Sequence, residues 1–255
     1  MRRSVVTRTR QSGPAAPASR QPNQLLRGMA AADYALIVPH LRRVSLSAGE
    51  KVSDAGARAR YVLFPETTVL SLIIVMADGG AVEAATVGNE GVVGLAAFLG
   101  DGAMNTQCLA QIAGDAQRLP AVALLRASAE SPAVGALLRQ YTQAFINQLA
   151  QSVACNRLHT IDQRCARWLL MTHDRVGGGD SFDLTQEFLS YMLGVRREGV
   201  SGASRALQQL GIISYRRGHI SVLDRPALER AACECYGDTR ADYARLFTDR
   251  LGVRR

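Results

Sequence analysis

The 255-residue sequence predicts an α+β protein: an N-terminal antiparallel β-roll of the jelly-roll kind, a long helix and a C-terminal winged helix-turn-helix. Three observations lead to this prediction. Short β-type runs separated by glycine turns occupy residues 44–119. A helical period without breakers runs through residues 132–159, and residues 185–203 have the pattern of two helices joined by a tight turn.

The net charge of +8 is distributed unevenly along the chain. Residues 1–27 contain six arginines and no acid, and we expect residues 1–24 to form a disordered basic tail, a solvated leader rather than a DNA contact. The net charge of residues 28–184 is −2, and that of residues 185–255 is +4. Within residues 194–217 there are five arginines and a single acidic residue, Glu198. This pattern indicates a polyanion-binding surface around the helix-turn-helix.

Residues 25–131 are predicted to form the β-roll domain, which begins with a short helix over residues 25–38. Residues 61–64 end at Pro65, and residues 69–75 end at a hairpin turn over residues 78–80, after which residues 81–87 return. Two more strands are predicted over residues 107–112 and 116–119. Glycine at every third position of residues 88–94 suits tight corners, which is typical of an antiparallel sandwich or roll.

A single helix is predicted over residues 132–159, with Pro132 in its first turn. At about 40 Å it is longer than a small domain can cover. We therefore interpret its apolar stripe as a homodimer surface, the alternative being that the helix packs lengthwise on its own β-roll. The stripe consists of Val134, Leu138, Tyr141, Phe145 and Leu149.

Residues 160–236 are predicted to form a DNA-binding domain, and residues 237–255 a C-terminal tail. A helix over residues 161–173 and a flexible glycine link over residues 177–179 precede the helix-turn-helix. There Thr185 is the expected N-cap, Ser190 allows two helices to cross closely, and Gly194 can take the positive φ of the turn. The apolar residues expected to pack between the two helices are Leu189, Leu193, Val195 and Val200.

The second helix of this unit is predicted to read base edges through Arg197, Glu198 and Ser201. A guanidinium can bond O6 and N7 of guanine together, and a carboxylate can accept from N4 of cytosine. Residues 211–222 predict a β-hairpin wing. Contacts to phosphates, which position the protein without reading sequence, are predicted for Thr185, Arg196, Arg216 and Arg217.

This order of elements resembles the Crp/Fnr superfamily of bacterial transcription regulators over roughly residues 40–236. The resemblance is most specific in residues 184–187, 192–201, 207–213 and 218–224, and weaker at residues 49–50, 64–65 and 91–95. It implies a cyclic-nucleotide-binding-like roll, a dimerisation helix and an Arg-Glu pair that reads DNA, which Arg197 and Glu198 match. It also implies a near-palindromic operator on double-stranded DNA and contact with RNA polymerase. Gly202 departs from the family, which often has an arginine there.

The resemblance also argues against cyclic AMP as the effector. Leu95 stands where the family's glutamate would hold the ribose, and Asn105-Thr106 stand near the position of its Arg-Ser phosphate pair. No basic residue lies between Arg60 and Arg118, although a phosphate taken out of water needs charge-assisted bonds. We therefore expect a small-molecule effector of another, unidentified kind.

The cysteines predict no metal site and no cofactor. Their odd count of five, without a secretory signal or a run of 18 apolar residues, predicts reduced thiols in a cytoplasmic protein without a membrane span. Cys233 and Cys235 are closer in sequence than the usual zinc clip, and no partner pair is evident. No cysteine precedes Cys108, which argues against the N-terminal iron–sulfur cluster of the superfamily's oxygen sensors.

Two alternatives remain open. The first is a DNA-binding regulator with a degenerate sensor domain, either ligand-independent or thiol-responsive. The second is a cupin-like enzyme or metal protein, which would need clustered histidines. The four histidines are scattered, only His40 could lie near the roll, and neither a phosphate loop with lysine nor a Gly-x-Ser-x-Gly elbow occurs. The prediction is accordingly that the protein is not an enzyme.

Overall fold

The computed structural model describes residues 21–176 and 179–248, without the side chains of Arg197 and Thr248. Residues 1–20 of the expected tail and two glycines of the expected link, at 177 and 178, lie outside the described residues.

Residues 21–24, expected as part of a disordered tail, are packed against the β-roll. Asn23 is fully buried and caps α1 (Gln24–Arg27) by accepting from the backbone N–H groups of Leu25 and Leu26. Its amide nitrogen donates to the carbonyl oxygens of Pro65 and Gly91, both at 2.9 Å. One side chain thus satisfies four backbone groups and holds α1 against the β-roll.

The β-roll consists of two antiparallel sheets. After α1, α2 (Ala31–Ala35) and a 3₁₀ turn (Val38–His40) lead into it. One sheet has the order β1-β7-β3 and the other β2-β6-β4-β5, and α3 (Ala96–Leu99) lies in the loop before β6. The strands are β1 (Arg42–Leu46), β2 (Lys51–Ser53), β3 (Tyr61–Pro65), β4 (Val69–Val75), β5 (Ala81–Val87), β6 (Gln107–Ile112) and β7 (Gly114–Pro120).

Two helices follow the roll and meet at a sharp bend. Helix α4 (Ala121–Glu130) ends at Ser131, which is the N-cap of α5 (Pro132–Leu158) and accepts from the N–H of Val134. No single helix in residues 21–176 and 179–248 is long and apolar enough to cross a membrane. Only α4 and α5 taken together pass such a test, and they are bent by 118°.

The C-terminal domain has its own apolar core. A capping box of Thr160 and Gln163 begins α6 (Ile161–Arg175). A three-stranded sheet of order β8-β10-β9 backs the helix-turn-helix. The elements are β8 (Ser181–Asp183), α7 (Gln186–Leu193), α8 (Arg197–Gln209), β9 (Ile213–Arg216), β10 (His219–Val222) and α9 (Arg225–Ala231).

The segment expected to be a C-terminal tail is in large part a helix. Helix α10 (Cys235–Thr248) turns back onto α5, and Tyr243, Leu246 and Phe247 join the apolar core of the β-roll. The ring of Tyr243 lies 6.2 Å from the ring of Tyr141. The expected tail thus differs from the structure, because these aromatic and aliphatic side chains bury more surface in the roll than a solvated tail could.

Candidate nucleic-acid interface

The turn between α7 and α8 has the geometry expected of a helix-turn-helix. The Thr185 hydroxyl accepts from the N–H of Phe188 at 3.2 Å and caps α7. Gly194 ends that helix in the left-handed region, with φ 60° and ψ 35°, a conformation that is costly for residues with a Cβ. Three of the four expected packing residues are buried in the domain core and Val195 is half-buried; the three are Leu189, Leu193 and Val200.

Helix α8 has one buried and one exposed face. Val200, Ala203 and Leu207 lie in the core at helical spacing, whereas Glu198, Gly202 and Arg205 are exposed. Ser201 is half-buried between the two faces. Arg197 is the first residue of α8, and the prediction for its side chain lies outside the described residues.

Arg205 belongs to this exposed face, although it is not among the contacts predicted from the sequence. It follows Ser201 by four residues and Gly202 by three, so it lies one turn farther along the same side of α8. The spacing from Ser201 is a signal that could have identified it. A Cβ added at Gly202, which is exposed like Arg205, would have no neighbouring atom within 4 Å in the described part of the chain.

The wing carries exposed cations on a tight turn. Strands β9 and β10 pair His219 with Arg216, and the two linking residues Arg217 and Gly218 have φ of 50° and 83°. Positive φ at both positions is the geometry of a type I′ turn. Arg216 and Arg217 are both exposed.

The cations of this surface are available for a ligand. Within residues 21–176 and 179–248, no hydrogen bond or ion pair to another side chain occupies the guanidinium of Arg196, Arg205, Arg216 or Arg217. Thr185 lies at the exposed N-terminus of α7, where backbone N–H groups and the helix dipole favour an anion. The predicted phosphate contacts, Thr185, Arg196, Arg216 and Arg217, are all exposed residues of the C-terminal domain.

The five residues predicted to form a dimer surface lie in the core of the chain itself. Val134, Leu138, Tyr141 and Phe145 are buried against the β-roll and α10, and Leu149 packs partly buried beside them. The stripe prediction thus differs from the structure, because no local sequence pattern indicates that α10 covers this face. A second stripe of α5 is exposed instead, at Arg139, Gln143, Ile146, Ala150, Val153 and Arg157.

The β-roll encloses a cavity of about 450 Å³. The guanidinium-bearing residues Arg58, Arg60 and Arg118 line it, together with Thr106, whose buried hydroxyl has no hydrogen-bond partner in the described residues. Arg118 lies 4.7 Å above the ring of Tyr61. Sequence order separates Arg60 from Arg118, but antiparallel pairing of β3 with β7 brings them together, so the cavity does contain cations.

The position that would hold a ribose in the superfamily is apolar here. Leu95 is buried in the core of the β-roll, next to Gly94, whose φ is 101°. A carboxylate is therefore absent from the place where a glutamate would accept from sugar hydroxyls.

Buried polar contacts, among them the following two, join the β-roll to the C-terminal domain. The Nε of Arg175, in the last turn of α6, donates to Oε1 of Glu90 at 2.8 Å, and both side chains are buried. The indole nitrogen of Trp168 donates to Oε1 of Glu83, in β5, at 2.8 Å. Burial raises the pKa of Glu83 to about 7, against the opposing effects of its hydrogen bonds from Ser71 and Trp168.

Four side chains that no sequence motif connects lie together at the end of α5. The ligating atoms of Cys155, His159, Cys233 and Cys235 are all within 4.8 Å of one another. The contact between the Sγ atoms of Cys155 and Cys233, at 3.6 Å, lowers the pKa of Cys155 and raises that of Cys233. The expected absence of a partner for Cys233 and Cys235 thus differs from the structure, because folding supplies one from 78 residues away.

Comparison with known families identifies the C-terminal domain. A family model described as a Crp-like helix-turn-helix domain matches residues 163–231, which include most of α6, the helix-turn-helix, the wing and α9. A sequence comparison with curated proteins finds no match.

Solved structures share the overall fold at low sequence identity. FixK2 from Bradyrhizobium japonicum has a TM-score of 0.62 at 17% identity, over 76% of this chain and 98% of that one. TTHB099, a CRP-family transcriptional regulator from Thermus thermophilus, has a TM-score of 0.63 at 20% identity, over 75% and 96%.

CLP, the c-di-GMP responsive global regulator of Xanthomonas campestris, has a TM-score of 0.61 at 14% identity, over 76% and 99%. At such identities these likenesses concern the fold. The predicted α+β class, with its roll, long helix and C-terminal helix-turn-helix, is confirmed, as is the resemblance to Crp/Fnr regulators.

Proposed function

We propose that this chain, which joins a Crp-like helix-turn-helix domain to the fold of Crp/Fnr regulators, is a homodimeric, sequence-specific transcription regulator. The observation that carries the proposal is the exposed surface formed by α8 and the wing. Its cations have no partner within the described part of the chain, and the helix that bears Glu198 begins at this surface. A surface of this kind fits the major groove with its flanking phosphates.

Base recognition is proposed for Arg197, Glu198 and Ser201. Arg197 and Glu198 are the first two residues of α8. In this class of motif, the N-terminal residues of the recognition helix contact the bases in the major groove. Thr185, Arg196, Arg216 and Arg217 are proposed to contact phosphates, together with Arg205. These contacts supply affinity and register, whereas the first group supplies discrimination between sequences.

The proposed dimer uses the exposed stripe of α5 rather than the buried one. Ile146, Ala150 and Val153 follow each other at spacings of four and three, which is the repeat of a helix pair in a coiled coil. Two-fold pairing of α5 would present two copies of α8, so we expect a near-palindromic operator with half-sites roughly 34–36 Å apart. Contact of the bound dimer with RNA polymerase belongs to the same proposal.

The cavity of the β-roll is proposed as the effector site, and an anionic small molecule as its occupant. Three arginines, Arg58, Arg60 and Arg118, outnumber the two carboxylates of the lining, Glu50 and Asp54, and the hydroxyl of Thr106 supplies a hydrogen-bond group. Leu95 argues against cyclic AMP. A thermal-shift screen should therefore include cyclic dinucleotides, to which CLP responds according to its description, and other anions. The absence of any shift would favour a ligand-independent regulator.

Mapping of bound sites across a bacterial genome tests the DNA-binding proposal, followed by footprinting on the recovered sequence. We expect a near-palindrome. Arg197→Ala and Glu198→Ala should each weaken binding to it by about 5- to 150-fold and relax preference at one base pair. Arg126→Ala, on the exposed surface of α4, is the matched control and should bind as the wild type does. Unchanged occupancy in both recognition variants, or a single unsymmetrical half-site, would contradict the proposal.

A further inference from the structure

The cluster at the end of α5 has the donor set of a metal site. Cys155 lies in the last turn of that helix, and His159, four residues later, is its C-cap residue. Cys233 approaches from the segment that joins α9 to α10, and Cys235 is the first residue of α10. We propose that these four residues bind one Zn²⁺ ion in a closed tetrahedral Cys₃His site.

Two of the six distances between the ligating atoms match those around a single tetrahedral ion, and all six are within 4.8 Å. With Zn–S bonds of about 2.3 Å and Zn–N bonds of about 2.0 Å, tetrahedral geometry places two sulfurs about 3.8 Å apart and a sulfur and a nitrogen about 3.5 Å apart. The Sγ atoms of Cys155 and Cys233 are 3.6 Å apart, and Sγ of Cys235 lies 3.5 Å from Nδ1 of His159. An iron–sulfur cluster contains several atoms between its thiolates and would need a wider cage.

The surroundings of the cluster provide the supporting contacts that zinc sites commonly have. While Nδ1 of His159 faces the thiols, its Nε2 lies 3.2 Å from Oε1 of Glu234. A carboxylate on the far nitrogen fixes the tautomer that leaves the near nitrogen free to ligate. The side-chain amide of Gln151 donates to Sγ of Cys235 at 3.1 Å, a contact that stabilises a thiolate.

Burial distinguishes the cluster from ordinary core cysteines. Cys155, Cys233 and Cys235 are buried together but separately from both apolar cores, whereas Cys108 and Cys165 each lie within one of those cores. Arg167 is buried nearby, and its Nε has no hydrogen-bond partner within the described residues. Three thiolates and one Zn²⁺ carry a net charge of −1, which this buried cation would balance.

At this position the ion would link distant parts of the chain. It would tie the C-terminal end of α5 to the segment between α9 and α10, directly beside Thr160, where α6 and the DNA-binding domain begin. Zinc binding requires deprotonated thiols and a preformed cage, so its binding energy adds to the stability of the folded chain. Loss of the ion should loosen the junction between the two domains.

The test uses the full chain, purified under reducing conditions without chelators. We expect about one zinc ion per chain by elemental analysis. The expected zinc content falls to background in Cys155→Ser, Cys233→Ser and His159→Ala, and is unchanged in the matched controls Cys108→Ser and Cys165→Ser. His159→Cys, which supplies a fourth thiolate, should retain the ion. Circular dichroism establishes which variants fold, and His159→Ala changes the least buried ligand.

Cobalt substitution gives an independent readout. Co²⁺ bound to the wild type should show thiolate charge-transfer absorption and the intense visible bands of a tetrahedral ion, both lost in His159→Ala and Cys155→Ser. Chelation should lower the Tm of the wild type and leave that of Cys155→Ser unchanged. The proposal is overturned if the reduced wild type binds no more zinc than Cys155→Ser, or if the cobalt bands are those of an octahedral ion.

Discussion

The carboxylate of Glu90, in the loop after β5, and the guanidinium of Arg175, in the last turn of α6, form an ion pair at 2.8 Å. Both side chains are buried, at 8% and 7% accessibility. Arg175 also donates to the hydroxyl of Thr86 at 3.1 Å. Gly88 makes this arrangement possible, because a Cβ there would lie 2.5 Å from Cγ of Arg175. The pair therefore couples the β-roll to the C-terminal domain.

Removing one partner of this pair should be strongly destabilising. Glu90→Gln leaves a buried guanidinium without its counter-charge, and we expect the free energy of unfolding to fall by about 3–5 kcal/mol in urea denaturation at neutral pH. Asp54→Asn, which removes the exposed pair between Lys51 and Asp54, is the matched control and should cost at most about 1 kcal/mol. Equal losses in the two variants would contradict a buried interdomain pair.

Glu83 should make stability depend on pH. Its pKa is raised by burial from the ordinary 4.5 to about 7 in the folded chain, although Arg167 and Arg175 favour its ionised form. Below about pH 4.5 Glu83 is protonated in both the folded and the unfolded chain, so its burial as a carboxylate does not reduce stability. As pH rises toward and past 7, the unfolded state releases the proton first, so the free energy of unfolding falls by a total of about 3 kcal/mol.

The change Glu83→Gln removes this titration while keeping an acceptor for Trp168. We expect the stability of the variant to be flatter than that of the wild type between about pH 4.5 and 7.5 in urea titrations. Glu130→Gln, an exposed change at the end of α4, should keep the wild-type slope. An identical slope in Glu83→Gln would show that this carboxyl titrates in the folded chain as it does in the unfolded one.

Local steric requirements are predictable from the sequence, whereas contacts between distant segments are not. Thr185 and Gly194 indicate the helix-turn-helix because a cap and a left-handed turn each favour few residue types. The stripe pattern places Tyr141 on a dimer surface because nothing near it in sequence indicates that Tyr243 covers it. The periodicity of α5 shows that a face is apolar but does not tell which partner buries it.

The same limit applies to the cysteine-histidine cluster and to the cavity of the β-roll. Cys155 and Cys233 are 78 residues apart, and their approach depends on how α10 returns to α5. Arg60 and Arg118 line the same cavity because β3 and β7 pair, with Tyr61 opposite Pro120. Short motif spacings carry no information about such pairings, so a search limited to neighbouring cysteines or cations misses both.

The exposed stripe of α5 should control association. Ile146→Glu and Val153→Glu each place a carboxylate opposite its own copy in the proposed dimer, and we expect monomers by analytical ultracentrifugation together with loss of operator binding. Ile146 and Val153 are 51% and 73% exposed, so neither change should reduce the stability of the isolated chain appreciably. Val122→Glu, at an exposed position of α4, is the matched control and should leave the dimer intact.

If the exposed stripe of α5 forms the dimer, a change in the buried stripe should reduce the stability of the chain and leave its association unchanged. Leu138→Ala removes a fully buried side chain and should lower the free energy of unfolding by about 2–5 kcal/mol without a specific effect on the association of the folded chain. Dissociation by Leu138→Ala at concentrations where it remains folded, with Ile146→Glu still dimeric, would restore the interface expected from the sequence.

A substitution in the wing turn should affect stability and the proposed DNA affinity in opposite directions. Arg217 has a φ of 50°, where asparagine is tolerated better than arginine, so Arg217→Asn should raise the free energy of unfolding by about 1 kcal/mol. The same change removes one proposed phosphate contact, so the slope of log Kobs against log salt should become shallower by about 1. Arg216→Gln, in the adjacent strand position, should reduce the salt slope equally but give no gain in stability. Thermal unfolding and fluorescence anisotropy over a salt series measure the two effects, and an unchanged salt slope in both variants would place the wing away from the phosphates.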